Sequence, residues 1–394
     1  MPSVAPRAIV PRRRSYRFAI AAALLVLLHS NGAAAAATDC PLRDRPFSVD
    51  SPLLDVLLSA EARRVVDREV PTLLAALPER LRKLDTPAFA AILTLRMAVT
   101  SQNLDVELLD KLDRALRAEK VTAADKASRC ARYDDDPIAH LPEPGRPAIL
   151  VFQKINGFRD APSVDAGERA LRAIAARRGW RMVVTDRGGA MTAKTLDHFD
   201  AVVWNNVSGD VLTVRQRAAF RHYIERGGGF VGIHGAGGDL AYFWDWYADD
   251  LIGTRFKAHP TAPSFQDARI KVDRPGNTIT RGIDGSWVMN DEWYSFFSNP
   301  RATGSNILLT LDETTYSPKG AGTDISMGDH PIAWTRCLGD GRAFYTAIGH
   351  RPETYADSNN ARFLEQAIAW AAGKGRTRCH QGHEHFVSIR RHMP

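Results

Sequence analysis

The stretch Gly227–Asp239, GGGFVGIHGAGGD, constrains this chain more than any other. Phe230, Val231 and Ile233 form a short apolar run of the kind that fills a strand buried on both faces. The glycines at 235, 237 and 238 suit a tight turn and a close backbone approach. His234 stands where strand becomes turn. In an open α/β sheet that place opens on the crevice at the carboxyl ends of the strands, where ligands bind.

The residues before it set the same rhythm. Pro147–Phe152, Arg181–Thr185, Ala201–Trp204 and Phe230–His234 read as strands. They alternate with helices over Ser163–Arg178, Thr192–Phe199 and Thr213–Arg226. Four strands in that alternation predict a parallel sheet with right-handed crossovers. An aromatic-rich helix over Tyr242–Tyr247 follows, and then the pattern turns to β. Segments Ala268–Val272, Ser286–Phe296 and Ile307–Leu311 precede a hairpin, Ile332–Cys337 with Arg342–Ile348, around Gly339-Asp340. Asp357–Ala372 reads as a closing helix.

The flanks differ in kind. Residues 1–37 hold five arginines and no acid, and Arg12–Arg14 precede the apolar run Phe18–Leu28 and the small residues Ala33–Ala37. This is the pattern of a secretory signal peptide; an uncleaved membrane anchor is the rival reading. Without those arginines the 52 basic residues become 47 against 45 acidic ones, which removes the case for a nucleic-acid partner. Residues 38–135 read as a helical domain. Its helices start at Ser51-Pro52, Thr86-Pro87 and Asn103-Leu104, and no catalytic constellation lies there. Residues 136–146 read as a linker, 147–373 as the α/β domain and 374–394 as a basic, His-rich tail. Export favours disulfides among the four cysteines. Of the three pairings, Cys40–Cys130 and Cys337–Cys379 bracket the natural segments.

The parallel strands end in polar residues: Gln153 and Asn156, Asp186, Asn205 and Asn206, and His234. Later segments add Lys257-Ala258-His259-Pro260, Asn290-Asp291-Glu292-Trp293-Tyr294, Asp329-His330-Pro331 and Gly349-His350-Arg351. Several histidines with a carboxylate pair suit an acid–base or metal centre. On a strand Asp291 and Glu292 point to opposite faces, so one of them reaches the crevice; Glu292 is assigned to it.

GGGFVGIHGAGGD, KAHP (257–260), NDEWYSF (290–296), LLTLDET (308–314), GDHPIAW (328–334) and FYTAIGH (344–350) together resemble the ThuA-like, trehalose-utilisation family. That family is similar in fold to class I glutamine amidotransferases. The resemblance covers residues 147–373 and neither flank. It implies an α/β fold with a flavodoxin-like parallel sheet, helices on both faces and extra β segments. Amidotransferases carry Gly-x-Cys-x-Gly at the elbow. Here Gly232-Ile233-His234-Gly235-Ala236 puts a histidine at the nucleophile's place, so glutamine hydrolysis is lost. Where the family's first loop usually reads Gly-Phe-Arg-His, this chain has Gly157-Phe158-Arg159-Asp160. The family stands in sugar catabolism, beside oxidoreductases that make 3-keto sugars.

The expectation is therefore an exported, periplasmic or secreted enzyme acting on a sugar or keto sugar as an isomerase, lyase or hydrolase. A non-catalytic carbohydrate-binding protein is the alternative. His234 is the expected base and Glu292 its acid–base partner; His259, His330 and His350 are ligands or electrophiles. Arg159, Asn205, Asn206, Asp239, Asp291 and Trp293 are candidate substrate contacts. A divalent metal is a candidate cofactor, with His234, His259, Glu292 and His330 as its candidate ligands. The aromatics at 242–247 are crevice packing or a sugar platform. The expected partner is a small carbohydrate, and the membrane is met only through the signal segment.

Overall fold

A computed structural model describes residues 37–100, 105–143, 145 and 147–373. The signal segment, the start of the helix expected at Asn103, the His-rich tail and Cys379 lie outside the described residues.

The strands are β1 (Ala148–Phe152), β2 (Arg181–Thr185), β3 (Ala201–Asn205), β4 (Gly229–Ile233), β5 (Phe256–Ala258), β6 (Phe265–Val272), β7 (Ser286–Glu292), β8 (Ser295–Phe296), β9 (Asn306–Asp312), β10 (Lys319–Gly320), β11 (Thr323–Asp324), β12 (His330–Leu338) and β13 (Gly341–Thr346). Among the described residues the main sheet has the order β2-β1-β3-β4-β13-β12-β9-β6-β7. From β2 to β13 neighbours run parallel, and from β13 to β7 they run antiparallel. The parallel half has the flavodoxin-like order, with β13 in the fifth place.

The expected hairpin forms: β12 and β13 pair antiparallel across the turn Gly339-Asp340, where Gly339 has φ 60°. The sequence does not reveal that β13 also closes the parallel half against β4, because more than a hundred residues separate the two strands. The strand expected over 286–296 breaks after Glu292 and resumes as β8 in a separate two-stranded sheet with β5.

Helices cover both faces of the sheet. Helix α6 (Ala161–Arg178) starts on the Asp160 side chain, which accepts from Ser163 N, and stops at Gly179 in the left-handed region. Helix α8 (Val214–Glu225) opens on a Thr213/Gln216 capping box. The short helix α7 spans Ala193–Leu196, and α9 spans Ser358–Ala371. Phe220 of α8 packs on Phe230 and Trp204, whereas Phe363 of α9 packs on Phe344. Phe230 stands beside Ala343 in register, so Phe344 points to the opposite face and the two helices sandwich the sheet. The aromatic segment turns later than expected. Its helix is a π-helix over Trp246–Ile252, and Trp244 and Tyr247 pack together against the core.

The N-terminal segment holds α1 (Leu53–Leu58), α2 (Ala60–Glu69), α3 (Leu95–Thr100), α4 (Val106–Ala118) and α5 (Ala123–Cys130). The helix that the sequence starts at Thr86-Pro87 does not form as one piece. Instead Phe89–Ile92 makes a 3-10 turn, and Leu93 extends so that its carbonyl accepts from Leu53 N. This segment has its own core, and Leu240 packs against it. Main-chain bonds from Ala88 to Asn156 and from Ala241 to Ile92 tie it to the α/β part. Cys40 and Cys130 form the first expected disulfide; the second involves Cys379. No helix among the described residues is long and apolar enough to cross a membrane.

Candidate functional site

His234 follows the last residue of β4 with φ 43°, a conformation that non-glycine residues adopt at a cost. The surroundings hold it there. Its Nδ1 donates to Ala347 O at 2.7 Å, and its own carbonyl accepts from the Tyr345 hydroxyl at 2.9 Å. A Cβ at Gly237 would meet the Tyr345 ring at 2.5 Å, and one at Gly238 the Tyr294 hydroxyl at 2.6 Å, so the elbow needs glycine at both. A carbonyl only accepts, so the His234 proton sits on Nδ1 and, in the neutral ring, Nε2 offers a lone pair.

That lone pair faces a cluster. The Tyr294 hydroxyl lies 2.8 Å from His234 Nε2, His350 Nδ1 3.2 Å and Glu292 Oε2 3.5 Å. His350 Nδ1 is itself 2.9 Å from Glu292 Oε2. The other carboxylate oxygen, Oε1, is 3.2 Å from His259 Nδ1, whose proton also faces Pro260 O at 2.7 Å. Ligand atoms of His234, Glu292 and His350 all lie within 4.8 Å of one another, and the first two residues are buried.

One short segment of sequence assembles this. Asn290 accepts from the Arg351 guanidinium, Asp291 accepts from Gly349 N at 2.8 Å and Arg351 N at 3.0 Å, and Glu292 takes the His350 ring. Simple alternation sends Asp291 and Glu292 to opposite faces. Both nevertheless reach the 349–351 loop, because β7 ends at Glu292 and the loop passes around the strand end. Glu292 enters the pocket cluster, whereas fully buried Asp291 spends both oxygens on loop amides.

The electrostatics follow from the contacts. Burial works to neutralise Glu292, but the adjacent His234 and His350 imidazoles outweigh it and hold the carboxyl far below the usual range. Burial likewise favours a neutral His350. The Glu292 carboxylate, backed by Asp291 and Asp160, reverses that and raises its pKa. Burial, with the Glu292 charge next, pushes the Tyr294 phenol up, so it stays a proton donor. The cluster opens on a small pocket whose walls include Phe158, Asp160, Asn206, His234, Tyr294 and His350. Phe158 and Phe265, each 40% exposed, lie against the His350 ring.

The structure therefore brings His234, Glu292, His259 and His350 together, and Asn206 shares the pocket wall with His234 and His350. It takes His330 elsewhere. Fully buried at the start of β12, that ring contacts Tyr294 O at 2.8 Å and Glu313 Oε1 at 2.7 Å and supports the cluster from behind. Pairing of His330 with Leu311 in β9 fixes its direction. Arg159 is exposed and lies off the pocket lining. Asn205 is buried and bonded to Val164 O and Gln153, and Trp293 is buried and bonded to Gln266 O. The 242–247 aromatics brace the elbow from outside, as Tyr247 donates to Ala236 O, and line a separate cavity beside Trp204. Tyr294, Ser163 and Ser208 were not singled out in the sequence; the NDEWY motif places Tyr294 two residues from Glu292, the one signal that pointed to it.

Asp239 is also spent on structure, accepting from Ser208 Oγ at 2.6 Å and Gly209 N at 2.7 Å. Burial lifts its pKa from 3.8 to about 7 despite those bonds. Between the two values the folded chain keeps a proton that the unfolded chain releases, so this group weakens the fold as pH rises from about 4 to 7. Asp239→Asn carries no such titration. Urea melts at pH 4.5 and 7 are expected to show the variant's stability relative to wild type rising with pH; a constant difference contradicts the assignment.

The sequence matches the ThuA family, described as trehalose utilisation, over residues 148–371. A ThuA-like protein of Bacteroides uniformis is 24% identical; the match covers 59% of this chain and 94% of that one, with a TM-score of 0.50. A ThuA-like protein of Parabacteroides merdae is 17% identical, covering 59% and 92%, at a TM-score of 0.43. The glutaminase domain of the Trypanosoma brucei CTPS is 11% identical, covering 59% and 96%, at 0.37. No curated protein matches the sequence. The family match spans more than half of the 394 residues and includes the elbow, the NDEWY segment and the His350 loop, so this chain belongs to the ThuA, trehalose-utilisation, family.

Proposed function

We propose that this protein is an exported enzyme of carbohydrate metabolism that moves a proton at carbon next to the carbonyl of a keto sugar. The observation that carries the reading is the convergence of His234, Glu292 and His350, of which His234 and His350 line a pocket. His234 Nε2 offers a lone pair, while His350 and Tyr294 hold protons beside it. A base and an acid on one small site suit enolisation, which underlies both isomerisation and lyase-type loss of a glycosidic group. Family membership supports a sugar as substrate. The Cys40–Cys130 disulfide supports an oxidising compartment.

Half-exposed Phe158 and Phe265 flank His350 and give the apolar face of a pyranose something to stack on. Phe89 of the N-terminal segment backs Phe158, with ring centroids 5.2 Å apart, which gives that segment a part in shaping the rim. Phe158→Ala and Phe265→Ala are each expected to raise KM roughly three- to tenfold with little change in kcat. An unchanged KM in both contradicts the stacking role. The reading itself is tested by turnover of 3-keto disaccharides with purified protein. Tight binding of the sugar without turnover would instead mark a carbohydrate-binding protein.

A further inference from the structure

The three donor atoms in the cluster form a triangle with edges of 2.9 Å, 3.2 Å and 3.5 Å. Ligands about 2.0–2.1 Å from one ion stand about 2.9 Å apart at right angles and about 3.3 Å apart at the tetrahedral angle. The triangle has that size. Hydrogen bonding explains only part of it. His350 Nδ1 has one proton to give and Glu292 is the nearer acceptor; the Tyr294 hydroxyl already serves His234 Nε2. Nothing in that scheme requires the two imidazole nitrogens to face each other. The surroundings are those of a metal centre. The second nitrogen of His234 is tied to the Ala347 carbonyl, and the second oxygen of Glu292 to His259. His234 and Glu292 are 3% and 6% exposed, which keeps competing water away from the donors.

We infer that His234 Nε2, His350 Nδ1 and one Glu292 oxygen form a binding site for a divalent first-row transition ion such as zinc or manganese, with His259 positioning the carboxylate. Two imidazoles and one carboxylate favour these ions over calcium or magnesium, which take oxygen donors. The inference rests on the keto-sugar substrate of the reading above and reassigns one role in it: a coordinated His234 Nε2 holds the ion instead of taking the proton. An ion held here faces the pocket and would polarise a sugar carbonyl. His234 and His350 then act by holding the ion, and the Tyr294 hydroxyl remains beside it as a proton donor.

Chelator-treated full-length protein, given zinc or manganese separately and desalted, is expected to retain one equivalent of at least one of them by elemental analysis. Titration calorimetry should show affinity lowered at least 100-fold in Glu292→Gln and in His350→Ala. His259→Ala should lose roughly 10- to 100-fold. The tail also carries His380, His383, His385 and His392, so a chain with all four replaced by alanine must keep its equivalent. Circular dichroism checks the fold of each variant, and the near-isosteric Glu292→Gln decides if His350→Ala is unfolded. Retention of neither ion by wild type, unchanged affinity in folded Glu292→Gln, or loss of binding with the tail histidines overturns the site. Ion bound without turnover of any keto sugar defeats the enzymatic reading and leaves the site standing. Turnover by metal-free protein defeats the catalytic use of the ion.

Discussion

Glu292→Gln is expected to lower turnover of a 3-keto disaccharide by roughly 10²–10⁴-fold, the range usual for losing a positioned acid–base group, while the chain stays folded. Glu292 is where the cluster is joined. One oxygen meets His350 and His234, and the other meets His259. The amide keeps the shape but brings no negative charge, and its NH2 faces imidazole nitrogens that need an acceptor. His350 then loses the partner that raises its pKa, and the ordering of three rings goes with it. Steady-state kinetics with circular dichroism checks this. A folded variant within a factor of three of wild type contradicts the role given to Glu292.

Asp291→Ala acts through structure and is expected to cost roughly 3–5 kcal/mol, with a fall in Tm of about 10 °C. Its carboxylate is fully buried and satisfies the amides of Gly349 and Arg351. Truncation leaves the buried Gly349 N–H and the partly buried Arg351 N–H unpaired, each costing about 1–3 kcal/mol. Those amides flank His350, so the ring loses its register with Glu292 and turnover falls as well. Asn290→Ala removes side-chain contacts to Arg351 and to Asp267, the latter exposed, and is expected to be much milder. Thermal melts separate the two. Equal, small shifts in both variants contradict the clamp.

The parts of this protein that local chemistry decides were legible in the sequence. The elbow glycines, the helices over 163–178 and 213–226 and the apolar runs of β1 to β4 each carry their own signal within a few residues. His234 at a strand end and Glu292 in NDEW could be singled out for the same reason. What depends on distant pairing could not. His330 and His350 look alike in sequence, each beside a turn residue. The pairing of β12 with β9 sends His330 to Glu313, while the Asp291 clamp sends His350 to Glu292. Tyr294 reaches His234 because the chain leaves the main sheet after Glu292, a break that period-two alternation does not foresee. The place of β13 beside β4 is likewise a choice of topology, not of propensity.

Proton chemistry at the cluster has one signature that precedes any net reaction. Incubated in D2O with a 3-keto disaccharide, wild-type protein is expected to replace the hydrogen on carbon next to the carbonyl by deuterium, followed by proton NMR, with the rate falling at least a hundredfold in Glu292→Gln. No enzyme-dependent deuterium uptake by wild type, or uptake as fast in the folded variant, would contradict the account.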